Sequence, residues 1–85
     1  MKKIWVLVKA EITAHGGHWM QVEVYSNREA ALKNLDRYRL KFYKAVEADR
    51  THCYWSADDS ENGFQCVMFG HRYKYCVVED VLREE

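Results

Sequence analysis

Apolar and polar positions alternate with period two at both ends of the chain and follow a 3.6-residue period only in its middle. Ile4, Val6, Val8, Ala10 and Ile12 alternate with Lys3, Trp5, Leu7, Lys9 and Glu11. This predicts a strand with one wholly apolar face. Met20, Val22 and Val24 alternate with Trp19, Gln21, Glu23 and Tyr25 and predict a second strand. A two-residue Gly16-Gly17 turn between them would mix the faces. A three-residue loop, His15-Gly16-Gly17, pairs Ile12 with Met20, Ala10 with Val22 and Val8 with Val24, and sets Lys9 beside Glu23 and Leu7 beside Tyr25. Face matching selects the second register.

The helical stretch runs from Ser26 to about Arg50. Ser26-Asn27-Arg28-Glu29 fits a capping box with Ser26 as the N-cap. Ala31, Leu35, Tyr38, Phe42 and Val46 then fall on one face, flanked by Leu32 and Tyr43. Lys33, Arg37, Lys41 and Lys44 form a basic stripe opposite. Arg39 interrupts the apolar face; it reads as a snorkelling edge residue or as a charge held by a carboxylate from the sheet.

Beyond the helix, Thr51–Ser56 suggests a short strand, and Asp58-Asp59-Ser60-Glu61-Asn62-Gly63 an acidic loop. Phe64–Phe69 reads as a strand, Gly70-His71-Arg72 as a turn, and Tyr73 to about Val81 as the last strand, with fraying from Leu82 to Glu85. A three-residue turn here places Cys66 opposite Cys76, Phe64 opposite Val78 and Phe69 opposite Tyr73.

The order ββα(β)ββ predicts an α+β two-layer sandwich over residues 1–85: an antiparallel sheet of four to five strands with one long helix on one face. In this reading Ile4, Val6, Val8, Val22 and Val24 meet Leu35, Tyr38, Phe42 and Val46. The other sheet face then carries Trp5, Leu7, Trp19, Tyr25, Val67, Phe69, Tyr73, Tyr75 and Val77. Large apolar patches mark contact sites, and Trp and Tyr suit them. The expected interface is therefore Trp5, Leu7, Trp19, Tyr25, Phe69, Tyr73 and Tyr75, serving a homodimer or another protein partner. A second small core, closed by 51–63, is the competing account of these side chains.

Composition changes this picture little. With 48% hydrophobic and 31% charged residues the chain is globular in type, and its 85 residues make one modest core. Its formal net charge of zero argues against a dedicated nucleic-acid binder. The alternative nucleic-acid contact would use Lys33, Arg37, Lys41 and Lys44. No apolar run is long enough to span a bilayer. The apolar start at Ile4–Val8 is cut short by Lys9 and Glu11 and reads as strand rather than leader. Three cysteines without a Cys-x-x-Cys pair favour a reducing, cytoplasmic setting.

Candidate chemistry is thin. His15, His18, His52, His71, Cys53, Cys66 and Cys76 match no metal-site spacing, so no metal ligand or cofactor is assigned. The acidic loop does not follow a calcium-loop pattern and reads as a solvated turn. Cys53 beside His52 in a strand points to the opposite face, so no catalytic residue is assigned and an enzyme is not expected. The layout is similar to that of many small bacterial and phage proteins in which two strands lead into a helix opened by Ser/Asn-x-x-Glu-Ala, here Ser26–Ala30. That similarity is one of patterning and implies no activity. The expectation is a binding module.

Overall fold

The computed structural model describes residues 2–56 and 59–82. Its elements are β1 (Lys2–Ile12), β2 (His18–Tyr25), α1 (Arg28–Ala48), β3 (Cys53–Trp55), β4 (Gly63–Met68) and β5 (His71–Leu82). The strands form one antiparallel sheet in the order β2-β1-β5-β4-β3, with α1 across one face. This is the α+β two-layer sandwich that the pattern predicts. The first and last strands of the chain are neighbours, paired from Lys2↔Leu82 to Ile12↔Arg72. The central strand β5 thus joins the two hairpins. Among the described residues no helix is long and apolar enough to cross a membrane.

The helix begins one residue later than expected. Asn27, not Ser26, is the N-cap, and its Oδ1 accepts from the Ala30 amide at 2.8 Å. Both residues cap well, and the extended backbone at Asn27 decides between them. Ala31, Leu35 and Val46 are buried, with Tyr38 and Phe42 packed beside them, as the 3.6-residue period requires. After Ala48 the Asp49 carboxylate accepts from the Thr51 and His52 amides, each at 3.2 Å, and turns the chain toward β3.

Arg39 is held by a carboxylate, but not one from the sheet. Its Nη1 donates to Asp59 Oδ1 and its Nη2 to the Ser60 carbonyl, both at 2.6 Å. Arg28 Nη2 lies 3.2 Å from Glu61 Oε1. The acidic loop expected to be merely solvated is therefore strapped to the helix by two guanidiniums. Leu82, expected to fray, is instead the last residue of β5 and pairs with Lys2; Asp58 and the rest of the fraying expected, over 83–85, lie outside the described residues.

The two sheet faces are the reverse of those expected. Leu7 is fully buried and Tyr75 is 6% exposed. Both join Phe64, Cys66 and Val77 beneath α1, with Trp5, Tyr25 and Tyr73 packed around them. The Phe42 ring sits 4.9 Å from that of Tyr73 and 5.1 Å from that of Tyr75. Ile4, Val6, Val8, Val22 and Val24, expected against the helix, lie on the other face. Alternation specifies which residues share a face, not which face a helix covers. Each aromatic buries about 150–250 Å², so covering the aromatic row removes more apolar area from water.

Two turns explain the registers. The first hairpin pairs Val6↔Val24, Val8↔Val22, Ala10↔Met20 and Ile12↔His18, two residues from the expected register. Its loop spans 13–17 and is closed by the Thr13 amide donating to the Gly17 carbonyl at 2.8 Å. An even slip leaves every side chain on its expected neighbour's face. The second hairpin slips by an odd number. Its turn is the pair Phe69-Gly70, with φ of 53° and 81°, a left-handed pair that matches strand twist. Phe64 then opposes Tyr75 and Cys66 opposes Tyr73, while Cys76 faces Gly63 instead of Cys66. The odd slip moves Phe64 and Cys66 onto the face of Tyr73, Tyr75 and Val77.

Candidate functional site

The uncovered face of the sheet is an aliphatic field centred on three strands. The pairings Val8↔Val22 and Val8↔Cys76 set Val22, Val8 and Cys76 in one row across β2, β1 and β5. On one side lie Met20, Ala10 and Lys74; on the other, Val24, Val6 and Val78. The next rows carry His18, Ile12 and Arg72 at one end and Ile4 with Asp80 at the other. Met20, Val22 and Val24 keep 68, 56 and 61% of their surface exposed, and Val78 keeps 45%. A strand of a two-layer sandwich ordinarily turns polar residues to water on this side. Here apolar side chains on three neighbouring strands stay open together, the kind of contiguous patch that marks contact sites on monomeric proteins. Beyond β5 the face becomes mixed, with Gln65 and Val67 on β4 and Tyr54 on β3.

Charge on this face leaves its central row clear. Arg72 and Lys74 stand at the start of β5 and Asp80 near its finish, with Cys76 and Val78 between. Among the described residues neither Arg72 nor Lys74 has an ion-pair partner.

The interface drawn from the sequence does not form one surface. Leu7 and Tyr75 are core, and Trp5, Tyr25 and Tyr73 pack against that core under α1. Trp19 is exposed on β2 near the hairpin loop. Phe69 is exposed in the β4–β5 turn, stacked on His52 with ring centroids 5.5 Å apart. Met20, Val22, Val24 and Val78 were missed as surface residues because their aliphatic row looked like the drier one. A usable signal was size. The rings of Trp5, Tyr25, Tyr73 and Tyr75 share the sheet face that contains Lys9 and Glu23, and a helix rich in Tyr and Phe packs rings on rings.

Lys9 and Glu23 form a polar seam between sheet and helix. Lys9 Nζ donates to Glu23 Oε2 at 3.1 Å and to the Tyr38 hydroxyl at 3.2 Å. Tyr38 and Tyr25 donate to the two Glu23 oxygens at 3.0 and 2.8 Å, and Asn34 Nδ2 donates to the Tyr25 hydroxyl. Burial alone would lower the Lys9 pKa, but the hydrogen bonds to Tyr38 and Glu23 outweigh it and raise the pKa above the ordinary lysine value. Burial would raise that of Glu23, and the bonds from Tyr25, Lys9 and Tyr38 bring it below the usual carboxylate range. Both groups stay charged near neutral pH, so the seam holds the layers together rather than moving protons.

The remaining candidates are scattered. Lys33, Arg37, Lys41 and Lys44 are all exposed on the outer side of α1, away from the open sheet face. Arg37 and Lys41 border a shallow groove with Asn34 and Tyr38. Cys53 and Cys66 are buried free thiols, and burial pushes the Cys66 pKa up to about 11, which leaves it a poor nucleophile. His52 Nδ1 lies 3.0 Å from Asp49 Oδ2, and His71 Nδ1 lies 3.5 Å from Glu11 Oε1. Comparison of the chain with protein-family models, with curated proteins and with solved structures finds nothing that matches it.

Proposed function

We propose that this chain works by binding rather than by catalysis, as a small interaction module whose contact surface is the open sheet face. Its simplest use is association with a second copy of itself. The supporting observation is the row Met20, Val22 and Val24 on β2, each more than half exposed on a strand that also lies at the sheet edge. Side chains of this type contribute little to the fold where they stand, and burying them against a partner is favourable at about 25 cal/mol per Å². The basic stripe on α1 lies on the other side of the molecule and has the ordinary character of a solvated helix face. Three free thiols suit a reducing compartment, and the reading includes a cytoplasmic setting on that ground.

The test is sedimentation velocity on the purified chain and on Val22→Lys and Val24→Lys variants. Wild type is expected to sediment as an assembly, and the variants as monomers with unchanged circular dichroism. Assembly that survives both substitutions would overturn the reading. Salt-sensitive binding to single-stranded DNA or RNA, lost in Arg37→Ala/Lys41→Ala, would replace it with the nucleic-acid alternative.

A further inference from the structure

We infer that two copies pack face to face about a twofold axis lying in the interface and running across the strands, over the row Val22–Val8–Cys76. This inference rests on the open face being the contact surface, and it specifies how that surface is used. A twofold contact is isologous, so each patch must complement itself. Two in-plane axes are available to stacked sheets. An axis along the strands sets like ends over like ends, so the end carrying Arg72 and Lys74 would face the same basic end of the partner. An axis across the strands reverses their direction and keeps their order. β5 then crosses the partner's β5 antiparallel, and Arg72 of each copy meets Asp80 of the other.

The apolar residues obey the same symmetry. Reflected through the row of Val22, Val8 and Cys76, Met20 exchanges with Val24, Ala10 with Val6, and Ile12 with Ile4. On β2 and β1 each exchange pairs apolar with apolar, while on β5 Val78 meets the partner copy's Lys74, whose aliphatic stem can lie along it. Because the strand order is preserved, the aliphatic β2–β1 half stacks on its own copy, not on the Gln65 and Tyr54 half. Packed sheets lie about 10 Å apart, a gap that an Arg and an Asp side chain span together. Aliphatic area of a few hundred Å² falls short of the roughly 800 Å² that each partner of a standard interface buries. The charged ends must therefore take part, and they supply register and the choice of axis.

A charge swap and a cross-link test this arrangement. Arg72→Asp and Asp80→Arg should each raise the dimer dissociation constant about tenfold, because each puts like charges opposite one another twice per dimer. The double variant Arg72→Asp/Asp80→Arg should return it to within about threefold of wild type, since the pair is restored with its sign reversed. Circular dichroism on each variant separates lost assembly from lost fold. A short bismaleimide should join two wild-type chains through Cys76, which lies on the axis, and Cys76→Ser should abolish the product; Cys53 and Cys66 are buried. A dimer that Val22→Lys dissociates, but that shows neither charge rescue nor the Cys76 product, overturns this axis and leaves the contact face standing. A dimer untouched by Val22→Lys overturns both. A wild-type monomer at high micromolar concentration overturns the second copy as partner.

Discussion

Lys9 Nζ reaches Glu23 Oε2 at 3.1 Å, although the strands pair Lys9 with Gln21 and set Glu23 opposite Leu7. The contact is diagonal, and both groups turn toward Tyr38 on the helix. A charge pair in this position fixes where β1 and β2 sit relative to α1.

Glu23→Gln should destabilise the fold by about 2 kcal/mol at neutral pH, because it leaves the Lys9 ammonium buried without its counter-charge. Stability against pH has a definite sign. The Glu23 pKa is lowered in the fold, so its contribution is complete above the unfolded carboxylate value of about 4.3 and is lost as pH falls through the folded value. The Lys9 pKa is raised, so its contribution is complete below about 10.4 and is lost as pH rises through the folded value. Urea midpoints of wild type should therefore fall on acidification more steeply than those of Glu23→Gln. Equal acid slopes would show that the seam contributes nothing.

The two sheet faces should respond differently to truncation. Leu7→Ala removes side chain from a fully buried site and should cost about 2–5 kcal/mol. Tyr75→Ser, also beneath α1, should cost at least as much. Val78→Thr on the open face should stay within about 0.5 kcal/mol, measured where the chain is monomeric. Chemical denaturation of the three variants checks the order.

The strap at Arg39 should depend on guanidinium geometry. Its two terminal nitrogens bind different groups, Asp59 and the Ser60 carbonyl, through a planar fork that the single nitrogen of a lysine does not reproduce. Arg39→Lys should therefore behave more like Arg39→Gln than like wild type. Both should speed hydrogen exchange at the Gly63 amide, which donates to the Ser60 carbonyl at 3.4 Å, while amides of β1 and β5 keep their protection. Full protection of Gly63 in Arg39→Gln would show that the loop does not need the strap.

Gly63→Ala should destabilise by about 1–3 kcal/mol. A methyl group there would meet the Tyr75 carbonyl at 2.8 Å and Cys76 Cβ at 3.0 Å, both part of the neighbouring strand rather than flexible tips. Thermal melting checks this, and Cys76→Gly in the same background should recover only part of the loss, because the Tyr75 backbone remains.

The element order, the buried stripe of α1 and the identity of both hairpins follow directly from period and turn residues. Ala31, Leu35 and Val46 are where a 3.6-residue repeat puts them. The orientation of the sheet is harder to read, because both rows of β1 are apolar enough to be buried. Lys9 and Glu23 made the aromatic row look wet, and a sequence does not display that two such charges cancel against one another and three polar side chains from Tyr25, Asn34 and Tyr38. The open surface was therefore foreseen as a surface, but populated with the wrong side chains. Arg39 is a smaller instance: its need for a carboxylate was legible, whereas Asp59 as the donor of that carboxylate depends on where the loop folds back.

The corner at Phe69 and Gly70 carries a further consequence. Two residues there put Phe64 and Cys66 under the helix; three would send them outward and bring Gln65 and Val67 in. Odd changes of length at this spot would turn one wing of the molecule inside out, while even changes would only slide it. Natural variation there should run in steps of two.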